Sequence, residues 1–207
     1  NAPLKPGPAP GSVTKSITAP VPPGTRGNVF FELNGYVSMD AAHYSGKVNS
    51  ETVQWQVIPG IGRDGDGISS FPVTAETQTI GRATACLRYD FYVYDTGAVT
   101  LSAYFSPTLN FSAKPEGLQY GISLDDERPQ IVSLNKDDNN PATWSHWVAD
   151  NIIIKMSTHT IHKKGKHTLK YWLISPGVVL QKMVVDFGGL KASYLGPEET
   201  IYKPEKH

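Results

Sequence analysis

The residues best suited to binding chemistry are four aromatic side chains, Tyr44, Trp144, Trp147 and Trp172. Trp144 and Trp147 enclose two polar residues ahead of a predicted strand, whereas Trp172 shares a predicted strand face with lysine and threonine. An exposed aromatic ring offers a flat apolar surface to a sugar ring, and neighbouring amide and carboxyl groups hydrogen-bond the hydroxyls. These four residues are therefore predicted to bind carbohydrate; the alternative is that the tryptophans pack in the interior.

The sequence contains no recognisable catalytic constellation. Residues 60–65 (GIGRDG) match the dinucleotide pattern G-x-G-x-x-G, but that motif needs a following helix, and here a proline-containing strand is predicted. There is no nucleophile elbow and no H-E-x-x-H pair, and the single cysteine, Cys86, has no activating partner nearby in sequence. We therefore predict that the chain is not an enzyme.

The histidine pattern is a poor match to a metal site. His159 and His162 are three positions apart, which places their rings on opposite faces of a strand. The stretch 162–167 is predicted to be an exposed basic hairpin tip.

Charge and composition disfavour several classes of partner. The 207 residues include 19 Lys and Arg against 19 Asp and Glu, which gives a net charge of +0. Nucleic acids and anionic membrane surfaces are normally met by an excess of basic residues, so neither is an expected partner. A lone cysteine cannot form an internal disulfide, and no apolar run reaches the roughly 18 residues of a membrane span.

The chain divides into two parts of different composition. Residues 1–27 hold seven of the 16 prolines and almost no large apolar residue, so they are predicted to form a Pro/Gly-rich linker. The alternative is an N-terminal arm that packs on the domain. Residues 28–207 are predicted to form one β-sandwich domain. The start at Asn1, without a methionine, suggests a mature or excised segment.

Apolar residues in the second part recur with period two. Alternation is clear at 53–57, 99–105 and 168–173, which predicts strands with one buried face that includes Trp55. Further strands are predicted at 29–33, 36–41, 68–74, 84–94, 118–124, 129–134, 151–161 and 178–187, with a turn or two of helix near 141–149. Short strands separated by Gly and Pro turns predict an all-β fold, an antiparallel β-sandwich or jelly roll.

Three segments together resemble the C-terminal domain of glycoside hydrolase family 115. Residues 36–44 (YVSMDAAHY) are similar to its opening Y-V-S-I-E-A-E-H-Y, and residues 55–65 (WQVIPGIGRDG) to W-x-x-I-x-G-L-G-R-T-G. Residues 167–182 (HTLKYWLISPGVVLQK) and the later SYLGPE at 193–198 resemble H-T-L-K-x-W-M-V-D-P-G-V-V-L-Q-K and S-Y-L-G-P-P-E. The resemblance covers residues 34–202.

The resemblance implies a galactose-binding-like β-sandwich, similar to carbohydrate-binding modules of families 6 and 35. Family 115 enzymes are α-glucuronidases that act on xylan, and their catalytic residues lie in an upstream domain. The resemblance therefore implies a non-catalytic module, secreted, periplasmic or at the cell surface, that binds plant cell-wall polysaccharide, with xylan or glucuronoxylan as the first expectation. The alternative is a structural or dimer-forming domain that packs on a catalytic domain.

The resemblance also implies a structural calcium ion. In the similar modules, two glutamates of the opening motif help to hold it, and here those positions are Asp40 and Ala42. Asp40 and Asp186 are the candidate ligands, but Ala42 has no side-chain oxygen. Trp147 stands where the family pattern has a small residue, which adds an aromatic that the pattern does not require.

Overall fold

The computed structural model describes residues 28–112, 114–136 and 140–202. The predicted linker, residues 1–27, lies outside the described residues. The described elements are, in chain order, β1 (Val29–Phe31), β2 (Tyr36–Asp40), a short 3-10 helix (Ala41–His43), β3 (Gly46–Val48), β4 (Gln54–Ile58), β5 (Gly67–Phe71), β6 (Cys86–Val93), β7 (Gly97–Phe105), β8 (Gln119–Leu124), β9 (Gln130–Ser133), α1 (Pro141–Asp150), β10 (Ile153–Ile161), β11 (Gly165–Leu173), β12 (Leu180–Asp186) and β13 (Ile201–Tyr202).

The strands form two sheets that pack face to face as a β-sandwich. The first sheet has the order β13-β1-β6-β11-β8-β9, with β3 beside β6. The second has the order β10-β7-β12-β5-β4, with β2 beside β12. All strand pairs are antiparallel except β1 with β6. The predicted all-β sandwich is confirmed, and the parallel pair is a detail that strand periodicity does not reveal.

Period-two alternation explains how each sheet buries one face. On β6 the side chains of Leu87, Tyr89, Phe91 and Val93 are fully buried between the sheets. The alternate residues of the same strand lie on the outer face. Trp55 is 3% exposed, as its phase on β4 predicts. Each sheet therefore presents an outer face on which polar side chains can form a site.

The helix α1 begins and ends as its sequence dictates. The Asn140 side chain accepts a hydrogen bond from the Ala142 amide, and Pro141 occupies the first turn, where a missing N–H costs nothing. Asn151 ends the helix in the left-handed region at φ 51, and its amide donates to the carbonyls of the last turn. The helix predicted near 141–149 is thus confirmed.

The segment after β12 crosses the outer face of the second sheet. The Ser38 amide donates to the Thr200 hydroxyl at 3.0 Å, and the Ser38 hydroxyl donates to the Pro197 carbonyl at 3.3 Å. Leu190 packs against a small apolar cluster formed by Tyr104, Ile152 and Val184. The two sheets therefore differ, because only the second has its outer face covered by this segment.

The predicted exposed hairpin tip at 162–167 is wrong at its last residue. His167 belongs to β11, is 9% exposed and lies against the Phe91 ring. Its Nδ1 is 2.7 Å from an Asp125 carboxylate oxygen, and its Nε2 is 2.7 Å from the Lys163 carbonyl. Each ring nitrogen therefore faces an oxygen atom, which fixes the orientation of the His167 ring.

Candidate functional site

A polar cleft lies on the outer face of the first sheet; we call it the first-sheet cleft. Its volume is about 360 Å³. Its walls come from β3, β6, β11 and the turn after β8. The lining residues are Ser45, Gly46, Arg88, Asp90, Asp125, Asp126, Thr168 and Lys170.

Strand register brings these side chains together. Lys170 of β11 pairs with Arg88 of β6, and Thr168 pairs with Asp90. All four point outward, because their strand neighbours fill the interior. Gly46 has a specific role here, since a Cβ at this position would lie 2.8 Å from an Arg88 guanidinium nitrogen. The glycine therefore makes room for Arg88.

Hydrogen bonds fix the polar side chains of the cleft. The Thr168 hydroxyl donates to one Asp90 oxygen at 2.8 Å, and Lys166 contacts the other at 2.8 Å. Lys170 donates to the Asp125 carbonyl and lies 3.5 Å from an Asp126 oxygen. With both charge signs present, the cleft offers donors and acceptors together, which is the chemistry that sugar hydroxyls require.

Trp172 lies one outward position beyond Lys170 on the same strand. It is half-buried, and its indole N–H donates to the Ser123 hydroxyl at 3.0 Å. The ring passes beside Gly121, where an added Cβ would lie 3.6 Å from Trp172 Cδ1 and 2.4 Å from the Ile80 side chain. Trp172 lies on the same outer strand face as Thr168 and Lys170, as the strand period predicts. The structure therefore places one predicted aromatic beside the first-sheet cleft.

Tyr44 precedes Ser45, which lines the first-sheet cleft. Its ring is half-buried, packs against the main core and has the Lys47 ammonium 5.6 Å from its centroid. Tyr44 precedes β3 and Trp172 lies on β11, two strands of the same sheet that are separated by β6. Tyr44 supports the cleft wall.

Trp144 and Trp147 lie on α1, away from the first-sheet cleft. Both are half-buried, and Trp147 packs against the main core. The Lys155 ammonium lies 5.1 Å from the Trp147 ring centroid. The core and Lys155 cover part of the Trp147 ring. Trp147 therefore exposes less ring surface to a sugar than a tryptophan in an exposed loop would.

The structure does not bring Asp40 and Asp186 together. Lys182 of β12 pairs with Asp40 of β2, whereas Asp186 pairs with Tyr36 at the far end of the same strand. Asp186 instead accepts hydrogen bonds from two amides of the following turn, at Gly188 and Leu190. One calcium ion cannot bind both carboxylates.

Asp40 belongs to a different cluster, with His43 and Glu199. Glu199 accepts hydrogen bonds from the Asp40 amide at 3.2 Å and approaches His43 Nδ1 at 2.7 Å. Burial, followed by the charge of Asp40, raises the pKa of Glu199. The Lys182 ammonium lies 3.2 Å from Asp40. A site with one histidine, two carboxylates and an adjacent ammonium does not fit calcium, which takes six to eight oxygen ligands.

One arrangement resembles a catalytic triad and was not predicted. Ser157 Oγ is 3.0 Å from His159 Nε2, and His159 Nδ1 is 2.9 Å from a Glu127 oxygen. Acyl transfer also needs donors that converge on the developing oxyanion. No such pair of donors contacts Ser157 among the described residues. The His159 side chain is fully buried, and we interpret the network as closing the edge between β9 and β10.

Cys86 is not a nucleophile either. It lies on the first sheet and is 4% exposed. Burial raises the pKa of its thiol to about 12, against which Lys170 and Arg88 act only weakly. The thiolate is the reactive form of cysteine, so this side chain is inert at neutral pH.

The β-sandwich carries a polar cleft on an outer sheet face, and its family makes it a carbohydrate-related accessory domain. The chain belongs to the family of the glycosyl hydrolase family 115 C-terminal domain, whose sequence model matches residues 29–199. The resemblance seen in the sequence is thereby confirmed. No curated protein matches the chain.

Solved structures share the fold at low identity. A family 115 4-O-methyl-α-glucuronidase with specificity for decorated arabinogalactans is 16% identical, with a TM-score of 0.51 over 69% of this chain and 17% of its own. The family 6 module of a laminarinase from Zobellia galactanivorans is 13% identical, with a TM-score of 0.45 over 73% of this chain and 98% of its own. A family 35 module from Clostridium thermocellum is 7% identical, with a TM-score of 0.46 over 72% and 96%.

The chain therefore spans about a sixth of the glucuronidase that it matches. No helix in the described part of the chain has the length and apolar character needed to cross a membrane.

Proposed function

We propose that this domain binds plant cell-wall polysaccharide without cleaving it, with xylan or glucuronoxylan as the ligand. The observation that carries the proposal is the position of Trp172 beside the first-sheet cleft, where a flat aromatic lies next to fixed donors and acceptors. A sugar on Trp172 would place its hydroxyls near Lys170 and Arg88. Family membership supports a carbohydrate ligand.

The proposed function also implies a catalytic domain as covalent partner and a location outside the cytoplasm. The matched glucuronidase is much longer than this chain, which supports an upstream catalytic domain as the covalent partner. Polysaccharides of plant walls are extracellular, so we propose that the protein is secreted, periplasmic or at the cell surface. The net charge of +0 is consistent with no nucleic-acid or membrane partner.

Replacing Trp172 with alanine is expected to weaken polysaccharide binding several-fold. Aromatic stacking contributes about 0.5–1.5 kcal/mol beyond area burial, which corresponds to roughly a two- to twelvefold change in Kd. Titration calorimetry with xylo-oligosaccharides measures the loss. The matched control is Trp144→Ala, which removes a half-buried tryptophan on α1 and should leave binding unchanged.

Affinity electrophoresis against xylan, glucuronoxylan and arabinogalactan identifies the preferred polymer. Arabinogalactan belongs in the panel because the matched glucuronidase is specific for its decorated forms. If Trp144→Ala or Trp147→Ala weakens binding and Trp172→Ala does not, the sugar site lies on α1 and the first-sheet assignment is wrong.

The isolated chain is expected to release no sugar, uronic acid or acetate from acetylated glucuronoxylan. For acetate, the physical reason is that neither Cys86 nor Ser157 has the setting of an activated nucleophile with an oxyanion site. For sugar and uronic acid, it is that the sequence shows no acid–base pair of carboxyl groups with recognisable spacing. Product chromatography beside a protein-free blank measures turnover. Release that Ser157→Ala abolishes would show that the Ser157–His159–Glu127 network is catalytic.

One observation favours the structural alternative. Strand β10 is an edge of the second sheet and exposes Ile154 at 38% and Met156 at 66%. Exposed apolar residues on an edge strand are typical of a surface that contacts another chain or domain. Size-exclusion chromatography of the wild type and of Met156→Lys would show whether β10 mediates association between copies.

A further inference from the structure

We propose a second glycan-binding site on the outer face of the second sheet, on the opposite side of the sandwich from the first-sheet cleft. The inference rests on the proposed function, because it assumes that the domain binds carbohydrate. The site is a cleft of about 1020 Å³, which we call the second-sheet cleft. It lies between the turn after β1, the turn after β4 and the segment that follows β12.

The floor of the second-sheet cleft is packed and fixed. Tyr36 and Leu190 line the cleft and pack against the apolar cluster of the second sheet. The turn that carries Leu190 is held by Asp186, which accepts from its amide at 3.0 Å. At Gly189 a Cβ would lie 1.9 Å from the Asn34 carbonyl oxygen, so only glycine allows this approach. The site is therefore preformed.

The Tyr194 ring forms one wall of the second-sheet cleft, and its orientation is restrained by neighbouring residues. Tyr194 is 63% exposed and lines the cleft, and the Arg63 guanidinium lies 4.7 Å from its ring centroid. Tyr194 lies within a closed turn in which the Ser193 hydroxyl donates to the Gly196 carbonyl at 2.8 Å. A cation against one face restrains the ring, and the cleft side remains available for a sugar.

Polar side chains surround the two aromatic rings. Asn34, Asp64, Lys191 and Glu198 line the cleft, and within the described part of the chain their side chains make no hydrogen bond or ion pair. Burial and, secondarily, the Glu198 carboxylate raise the pKa of Tyr36, so its phenol remains protonated. Donors and acceptors are therefore available without breaking an existing contact.

This chemistry fits a neutral oligosaccharide. The lining has two carboxylates against one lysine, which gives no excess of positive charge for an anionic sugar. Two tyrosine rings beside amide, carboxyl and ammonium groups match the apolar and hydroxyl faces of a pyranose chain. The ligand that we assign to the second-sheet cleft is therefore the unsubstituted xylan backbone, a neutral pyranose chain.

Two sites on opposite faces would make the domain bivalent. Packed sheets lie about 10 Å apart, so the two clefts face away from each other across one thin domain. They cannot hold adjacent sugars of one straight chain, and they would instead hold two polysaccharide chains. Such a domain binds parallel polysaccharide chains more tightly than either site does alone. In solution, it would cross-link separate chains.

Titration of the full chain with xylohexaose tests the inference. The expected stoichiometry is two ligands per chain. Tyr194→Ala should reduce it to one or weaken one site about two- to twelvefold, whereas Tyr194→Phe, which keeps the ring, should bind as the wild type does. Nuclear magnetic resonance of backbone amides should show ligand shifts at Leu190 and Gly196, apart from those at Lys170.

The outcomes separate the two proposals. If one ligand binds, depends on Trp172 and is unaffected by Tyr194→Ala, the second site is wrong and the proposed function remains. If binding depends on Tyr194 alone, the second-sheet cleft is supported and the first-sheet assignment is overturned. If the folded wild type binds no polysaccharide of the panel, both proposals fail. Melting curves of the variants confirm that each is folded.

Discussion

Replacing Trp55 with alanine is expected to lower the free energy of unfolding by about 3–5 kcal/mol, the cost of truncating a large core aromatic. Trp55 is 3% exposed, and its ring contacts Tyr171 of the other sheet at 5.8 Å between centroids. Its indole N–H donates to the Val48 carbonyl at 3.1 Å, which links β4 to β3. The substitution therefore removes core packing and a contact between sheets.

Urea denaturation of the wild type, Trp55→Ala and Trp172→Ala provides the comparison. Trp172 is half-buried on an outer face, so its truncation should cost less than Trp55 does. Equal losses for the two variants would show that Trp172 is a packing residue and would weaken its assignment to the sugar site. Trp55→Ala should bind sugar normally wherever it remains folded.

Replacing Asp40 with alanine is expected to cost about 3 kcal/mol of stability, because it leaves a buried ammonium without its counter-charge. Lys182 is 5% exposed, and its Nζ lies 3.2 Å from Asp40 and 2.8 Å from the Pro197 carbonyl. In Asp40→Ala, the Pro197 carbonyl is the hydrogen-bond acceptor that remains for the Lys182 ammonium among the described residues. The double variant Asp40→Ala/Lys182→Met should be more stable than Asp40→Ala, because Met fills the site without a charge.

A chelator distinguishes this ion pair from a calcium site. If Lys182 neutralises Asp40, the melting temperature of the wild type should be the same with and without EDTA. A ligand bound only to the native state stabilises by about 2.7 kcal/mol at a hundredfold excess over Kd, so loss of a bound ion would be visible. A fall with EDTA that is absent in Asp40→Ala would instead establish Asp40 as a metal ligand.

Strand positions were predictable because each strand buries one face between the two sheets. Apolar and polar residues therefore alternate along its sequence. The pattern on 99–105 identifies β7, and Trp55 is correctly assigned to the core. The strands that were missed are β3 and β13, of three and two residues. Such short elements depend on pairing with β6 and β1, and their own residues carry no period.

Site residues were less predictable because a site depends on register and on segments that are distant in sequence. Trp172 was correctly placed on an outer face by its strand period. His167 was misassigned because it was counted with the turn, although it is in phase with the buried residues Leu169 and Tyr171 of β11. Tyr194 lies in a loop without a strand period, and the SYLGPE motif is the sequence feature that marks its segment. No periodicity indicates that this loop forms the wall of a cleft.

The contacts of residues 197–202 have a consequence for synthesis. Pro197 and Thr200 hydrogen-bond to Ser38 of β2, and β13 pairs with β1. Contacts between residues about 160 to 170 positions apart therefore complete the first sheet and cover the second. Contacts between residues so distant in sequence form slowly, because closing a large loop first costs the chain conformational entropy. On a ribosome, the second sheet cannot be completed until β12 has left the exit tunnel, and the first sheet cannot be completed until β13 has left it. The domain must therefore remain incompletely folded for nearly its whole translation, with the edge of β1 and the outer face of β2 open to chaperones.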